Sequence, residues 1–128
     1  MTPIQLTKRK ADWKRRVKAT LGRAKLRHLY MHHDEEQDMP EFYQIARDIA
    51  TLGILGNRLL ASVQQMDMQD RVTLDIEYHL LLLDHWSQEF YELAYHLKWP
   101  LSTLPTYSCP NIVLEHYPEG IKDDKEKK

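Results

Sequence analysis

Arginines recur at every seventh position in the N-terminal segment of the chain. Arg9, Arg16 and Arg23 are seven residues apart, and Arg27 follows about one helical turn later. On an α-helix, seven residues rise about 10 Å, so these guanidinium groups would form a line along one edge. Each guanidinium presents a planar fork of donors that matches the oxygens of a phosphate. The spacing therefore predicts a ladder of phosphate contacts, with nucleic acid or a nucleic-acid-associated protein as the partner.

The charge of the chain is strongly segregated, although the formal net charge is only −1. The first 30 residues contain ten lysines and arginines against one acidic residue, whereas residues 31–121 contain four basic and fifteen acidic residues. Such a basic segment would bind nucleic acid with a steep salt dependence, and no helix-turn-helix, zinc-finger or RNP motif accompanies it. Recognition would depend on shape and charge. The predicted contacts are Arg9, Lys10, Arg15, Arg16, Arg23 and Arg27.

Two other interpretations fit the same distribution of charge. The cations of the N-terminal segment could face the acidic second and third helices of the protein itself, or could form a solvated face. The acidic remainder could instead bind a basic protein, as an inhibitor, an immunity-type protein or an adaptor. The residues predicted for that surface are Asp75, Glu77, Asp84, Glu89 and Glu92.

Histidines and carboxylates recur at helical spacing near the ends of two predicted helices. His28 and His32 are four residues apart, as are Glu92 and His96, and parallel helices would bring these pairs to the same level. Imidazole and carboxylate are ligands for zinc and non-haem iron. However, the Glu-x-x-His repeat of di-iron bundles is absent, and the positions also suit solvated, salt-bridged side chains. We therefore predict no metal or other cofactor.

The sequence contains no recognisable catalytic signature. Cys109 is the single cysteine, and no neighbour in sequence is a base that would lower its pKa. No serine lies in the glycine-rich turn that exposes a catalytic nucleophile, and the chain has only 4 glycines. We predict a non-enzymatic accessory or regulatory protein without a small-molecule substrate.

Composition and length are those of one globular domain. Of 128 residues, 42% are hydrophobic and 29% are charged, which argues against a disordered chain. No uncharged run of the sequence contains the roughly 20 consecutive apolar residues that span a bilayer, and no apolar core follows the basic N-terminus as in a secretory signal. A single cysteine suits a reducing compartment. We predict a cytoplasmic protein with no membrane partner.

Apolar residues at helical spacing predict three long helices in an up-down-up bundle about 40 Å long. The helices are expected over residues of about 4–32, 40–65 and 70–98, with Thr2 and Pro3 at the start of the first. The predicted core residues are Leu6, Trp13, Val17, Leu21, Ala24 and Met31, then Phe42, Ile45, Ile49, Leu52, Leu59 and Val63, then Leu83, Trp86, Phe90, Leu93 and Leu97.

Further predictions concern individual residues of these helices. Gly53 and Gly56 lie on or beside the apolar stripe of the second helix, where they allow a close neighbour or weaken the helix by roughly 1 kcal/mol each. Asp38 is expected to cap that helix. Trp13 and His79 lie on apolar faces, so both are expected in the core rather than at a binding surface.

Four prolines after residue 99 predict a non-helical tail over residues 100–119, with Pro100 ending the third helix. Residues 111–114 are predicted to form a short extended piece that packs on the bundle. Residues 1–119 would then form a single domain, followed by a disordered charged end over residues 120–128. Three long helices leave much apolar surface for so small a core, and a homodimer would cover it.

Overall fold

The protein folds as a bundle of three long helices. The structure is a computed structural model and describes residues 2–30, 36–66 and 70–119. The predicted all-α fold is confirmed, and the predicted bounds of the three helices agree closely with those observed. The long helices, of 28, 27 and 28 residues, are α1 (Pro3–Tyr30), α2 (Met39–Gln65) and α3 (Asp70–Leu97).

The contacts between the helices give their directions. Helices α1 and α2 run antiparallel, whereas α1 and α3 run parallel. The pairs that show this are Trp13–Leu52 and Arg27–Glu41 between α1 and α2, and Lys10–Asp75 and His28–Glu89 between α1 and α3. The up-down-up order predicted from the sequence is therefore confirmed.

The core lies between the three helices and contains nearly all of the predicted apolar residues. The predicted core residues of α1 and α2 that the structure describes are all buried, and only Leu93 and Leu97 of α3 are half-buried. Met31 lies outside the described residues. The rings of Phe42 and Phe90 stack with centroids 4.5 Å apart, which joins α2 directly to α3.

The starts of α1 and α2 are built differently. Thr2 Oγ1 accepts a hydrogen bond from the N–H of Gln5 at 3.2 Å, and Gln5 Oε1 accepts one from the N–H of Thr2 at 3.0 Å. This capping box, with Pro3 at the first helical position, confirms the predicted start of α1.

Asp38 occupies the N-cap position of α2 but makes no capping hydrogen bond with its side chain. Asp38 therefore takes the predicted cap position, but its carboxylate faces Arg27 at 3.5 Å instead of the N–H groups of the first turn.

Backbone geometry, rather than Pro100, ends α3. Lys98 has a φ of 60°, the left-handed conformation that often follows a helix. The N–H of Lys98 donates to the carbonyl of Tyr95 at 3.2 Å, and the N–H of Trp99 donates to that of Ala94 at 3.0 Å. These are the two hydrogen bonds of a Schellman motif, so the helix has already ended when the chain reaches Pro100.

Lys98→Gly should raise the free energy of unfolding by about 1 kcal/mol, because a Cβ atom in the left-handed conformation costs roughly that much relative to glycine. Urea denaturation of the wild type and the variant measures the change. Lys98→Ala is the matched control, since it removes the charged side chain and keeps the Cβ atom. An equal gain in both variants would contradict the backbone explanation.

Two glycines of α2 leave room for aromatic rings from other elements. A Cβ atom on Gly56 would lie 2.4 Å from Cζ2 of Trp13, and one on Gly53 would lie 2.2 Å from Cδ1 of Tyr107. Trp13 Nε1 also donates a hydrogen bond to the carbonyl of Leu52 at 2.8 Å. The close approach predicted at these glycines is confirmed, and Trp13 belongs to the core as predicted.

Gly56→Ala should lower the free energy of unfolding by about 1–3 kcal/mol, because the added methyl group overpacks the Trp13 site. Gly22→Ala is the matched control, because Gly22 also lies within a helix but a Cβ atom there would meet nothing within 4 Å. That variant should be more stable than the wild type by about 0.5–1 kcal/mol. Thermal unfolding measures both, and a gain of stability in Gly56→Ala would show that the rings do not require the glycine.

The tail folds back along α2 and α3 instead of leaving the bundle. The N–H of Tyr107 donates to Ser87 Oγ at 2.7 Å, and the N–H of Cys109 donates to Asp84 Oδ2 at 2.6 Å, so the tail runs antiparallel to α3. Its buried residues are Trp99, Leu104, Tyr107, Cys109 and Val113. The chain therefore covers with its own tail part of the apolar surface for which we expected a second copy.

Residues 111–114 do not form the predicted extended piece. They belong to a short helix, α4 (Asn111–His116), so the prediction of a wholly non-helical tail is wrong here. Their packing on the bundle is confirmed, because Val113 is buried and His116 Nδ1 lies 2.8 Å from Oε2 of the buried Glu77. The predicted disordered end over residues 120–128 lies outside the described residues.

Candidate nucleic-acid interface

The four arginines of the predicted line follow the groove between α1 and α2. Arg9 and Arg16 border the part of the groove beside the C-terminal half of α2. Arg23 and Arg27 border the part beside its N-terminal half. The two halves differ in what α2 places opposite the arginines.

The N-terminal half of α2 places carboxylates opposite the arginines. Arg23 Nη2 lies 2.7 Å from Asp48 Oδ2. Arg27 forms an ion pair with Glu41 and lies 3.5 Å from Asp38 Oδ1. Neutralisation by the protein's own acidic residues, one of the alternatives considered from the sequence, therefore accounts for Arg23 and Arg27.

The C-terminal half of α2 places a third cation, Arg58, in the groove beside Arg9 and Arg16. All three are exposed, and no carboxylate of the described residues lies within 4.0 Å of their guanidinium nitrogens. Asp12 also lines this space, but its carboxylate is paired with Arg15. The volume is about 270 Å³, and the apolar floor consists of Trp13, Leu55 and Leu59. We call this the open arginine groove.

Arg58 was not predicted from the sequence as part of the site. It lies in the acidic part of the chain, and no repeat connects it with the arginines of α1. Arg58 and Arg16 border the same space because of the way α2 is rotated against α1. The relative alignment of the two helices would have been needed to predict the position of Arg58 in the site.

The lysines on the other edge of α1 face α3. Lys10 Nζ and Lys14 Nζ lie 2.8 Å and 2.9 Å from Asp75 Oδ2. Burial by itself would raise the pKa of the Asp75 carboxyl, but the two ammonium groups outweigh burial and hold that pKa below its ordinary value of 3.8. Lys10, which was predicted to contact nucleic acid, is therefore engaged within the fold.

The remaining cations of α1 are exposed. Arg15 forms an ion pair with Asp12, its neighbour three residues earlier, at a surface position where such a pair contributes little. Within residues 2–30, 36–66 and 70–119, no carboxylate lies within 4.0 Å of the other exposed cations. These unpaired cations of α1 are Lys8, Arg9, Arg16, Lys18 and Lys25.

Most of the acidic residues predicted for a protein-binding surface are used inside the fold. Glu77 is fully buried, and Asp75 is paired with two lysines. Asp84 accepts a backbone hydrogen bond from the tail, and Glu89 lies 3.4 Å from a histidine nitrogen of α1. Glu92 is the member of this set that is exposed without a partner in the described part of the chain.

Of the residues considered for metal binding, those that the structure describes do not form a metal site. His28 Nε2 lies 3.4 Å from Glu89 Oε2, whereas Glu92 and His96 are exposed. His32 lies outside the described residues. In the part of the chain that the structure describes, no group of three or more potential ligands is placed to hold a metal ion.

Two buried polar groups serve the packing of the bundle. His79 is buried as predicted, and its Nδ1 lies 2.7 Å from the carbonyl oxygen of Asp75. Burial lowers the pKa of His79 below 6.5. Burial, together with the charge of Asp84, raises the pKa of the Cys109 thiol to about 12, so this thiol is a poor nucleophile near neutral pH.

Comparisons with protein-family models, curated proteins and solved structures find no match to this chain. Among the described residues, no helix is both long enough and apolar enough to cross a membrane. Function must therefore be argued from the charges and the shape of the bundle itself.

Asp75→Asn should lower the free energy of unfolding near neutral pH. It should also make that free energy depend less on pH in the acid range. The folded-state pKa of Asp75 lies below the ordinary 3.8, so its contribution is present above that value and is lost as the pH falls through the folded-state pKa. Urea denaturation from about pH 6 to about pH 2 measures this.

The control for this prediction is Asp12→Asn, which removes the same charge from an exposed pair on α1. The wild type and the Asp12 variant should lose more stability in acid than the Asp75 variant. Parallel stability curves for the wild type and Asp75→Asn would show that the two lysines do not stabilise the Asp75 carboxylate.

Proposed function

We propose that this chain is a non-enzymatic helical accessory protein that binds nucleic acid through the exposed cations of α1. The supporting observation is the set of five exposed cations on α1 for which no carboxylate of the described residues lies within 4.0 Å. Arg58 of α2 adds a sixth cation beside them. Phosphates would displace the counterions of these side chains, which favours binding at low salt.

Packing holds these cations in a fixed arrangement. Leu6, Trp13 and Val17 are buried against the rest of the bundle, so the cations project from an ordered helix. Binding therefore does not require the helix itself to become ordered, a cost that weakens flexible basic arms. Arg9 and Arg16 are about 10 Å apart along the helix axis, which is close to the screening length in physiological salt. At that separation the two charges are largely screened from each other in physiological salt, and they reinforce each other mainly at lower salt.

Binding of a basic protein through the acidic body has less support. Of the five acidic residues considered for that surface, Glu92 alone is exposed without a partner in the described part of the chain. We favour nucleic acid itself over a nucleic-acid-associated protein, because the arginine fork matches phosphate oxygens. A regulatory role, a homodimer and a cytoplasmic location stay predictions from the sequence.

The double variant Arg9→Glu/Arg16→Glu should bind labelled oligonucleotides at least roughly tenfold more weakly than the wild type, because it removes two phosphate contacts and adds two repulsive charges. Fluorescence anisotropy at about 50 mM and 200 mM salt measures this. If the wild type makes four such contacts to duplex, its affinity should fall roughly 100-fold between those two concentrations.

The matched control is Arg47→Glu/Arg71→Glu, which changes the net charge equally at two exposed arginines of α2 and α3. It should bind within about threefold of the wild type, since those residues lie outside α1 and do not line the groove beside Arg9 and Arg16. Absence of binding by the wild type at low salt, or equal losses in both double variants, would contradict the proposed function.

A further inference from the structure

We infer that the open arginine groove seats the backbone of a single-stranded nucleic acid, and that Arg58 of α2 is its third phosphate contact. This inference rests on the proposed function and names the form of nucleic acid and the place on the bundle. Arg9 and Arg16 come from α1, so the site requires two helices rather than one basic segment.

The two halves of the α1–α2 groove differ in whether the protein itself pairs the groove arginines with carboxylates. Where Arg23 and Arg27 lie, the protein supplies the carboxylates itself, with Asp48 at 2.7 Å from Arg23. The open half brings three guanidinium groups around one space, and its single lining carboxylate is held by Arg15. Three like charges gathered around a shared space bind an anion more strongly than the same charges spread apart. A phosphate would supply the counter-charge that the other half already has.

The shape of the site favours a single strand over a duplex. The arginines lie along a concave space between two helices, whose axes pack about 8–10 Å apart in proteins. An unpaired strand is narrow enough to lay its phosphates into such a space. A duplex is wider and would meet the outward side of α1, where Ile4 and Leu26 are 70% and 59% exposed. Lys8 and Arg15 share that side, but Arg15 is paired with Asp12, so fewer unpaired cations face a duplex there than line the groove.

The floor of the groove suits the rest of a nucleotide. Between the arginines lie the half-buried Leu55 and the almost wholly buried Leu59 and Trp13, which are 8% and 3% exposed. This floor offers apolar contact to a sugar or a base but no exposed aromatic ring on which a base could stack. Of the two features that proteins combine to hold single strands without sequence preference, the positively charged groove is therefore the one that this site provides.

Arg58→Gln tests the third contact. With a labelled single-stranded oligonucleotide, the variant should bind several-fold more weakly in low salt, and the slope of log affinity against log salt should shrink by about 0.7, the value for one phosphate of a single strand. Arg47→Gln is the matched control, since Arg47 is an exposed arginine of α2 that does not line the groove. Equal slopes in the two variants would overturn the inference.

Asp48→Asn provides a test by gain of binding. The change removes the carboxylate that holds Arg23 and keeps the shape of the side chain, so Arg23 becomes available to the same strand. Affinity should rise several-fold and the salt slope should steepen by about 0.7. Glu92→Gln is the control, because it removes one exposed negative charge from α3. An equal rise in both variants would show a general effect of net charge and overturn the inference.

The wild type compared on a single strand and on its duplex decides the form of nucleic acid. Binding of the single strand at least roughly tenfold tighter supports the inference, and equal or tighter binding of the duplex overturns it. Binding that depends on Arg9 and Arg16 but not on Arg58 overturns only this inference and leaves the proposed function standing. Binding of neither probe overturns both.

Discussion

The placement of Trp13 between the helices is the constraint on which the rest of the structure depends. Its indole fills the space that Gly56 leaves open on α2, and its Nε1 donates to the carbonyl of Leu52. Sliding or rotating α1 on α2 would lose this packing and leave a buried donor unpaired, at a cost of about 1–3 kcal/mol for the donor alone. The same ring lies edge-on to His79 of α3, with centroids 6.1 Å apart. One side chain therefore relates all three helices.

The resulting register decides which cations of α1 are neutralised. Exposed ion pairs contribute only about 0–1 kcal/mol each, so Arg23–Asp48 and Arg27–Glu41 do not hold the helices together. Their effect is on the electrostatic potential, because they cancel the charge along one half of the α1–α2 groove. In the other half α2 contributes Arg58 instead of an acid. In the folded chain, therefore, one half of the α1–α2 groove is neutralised and the other half is positively charged.

The sequence predicted what depends on local signals and missed what depends on register. Helix bounds and core residues follow from the Thr2–Pro3 start and from apolar spacing, and both are found in the structure. The position of Arg58 follows from the rotation of α2 on α1, which no periodicity within either helix encodes. Neither α4 nor the burial of Glu77 could be predicted from the sequence either, for different reasons. A six-residue helix among prolines carries too few local signals, and the contact of Glu77 with His116 requires the tail to return along α3.

Under the proposed function, binding and folding would be coupled, because the arginines proposed to contact phosphate share α1 with core residues. A strand that binds only when α1 is docked stabilises the folded state by RT ln(1 + [L]/Kd), or about 2.7 kcal/mol at a hundredfold excess over Kd. Without ligand, the repulsion among Arg9, Arg16 and Arg58 is screened over about 8 Å in physiological salt, so the bundle tolerates the open groove. A flexible basic arm would have to become ordered on each encounter. Building the cations into a packed helix would avoid that loss for the proposed partner.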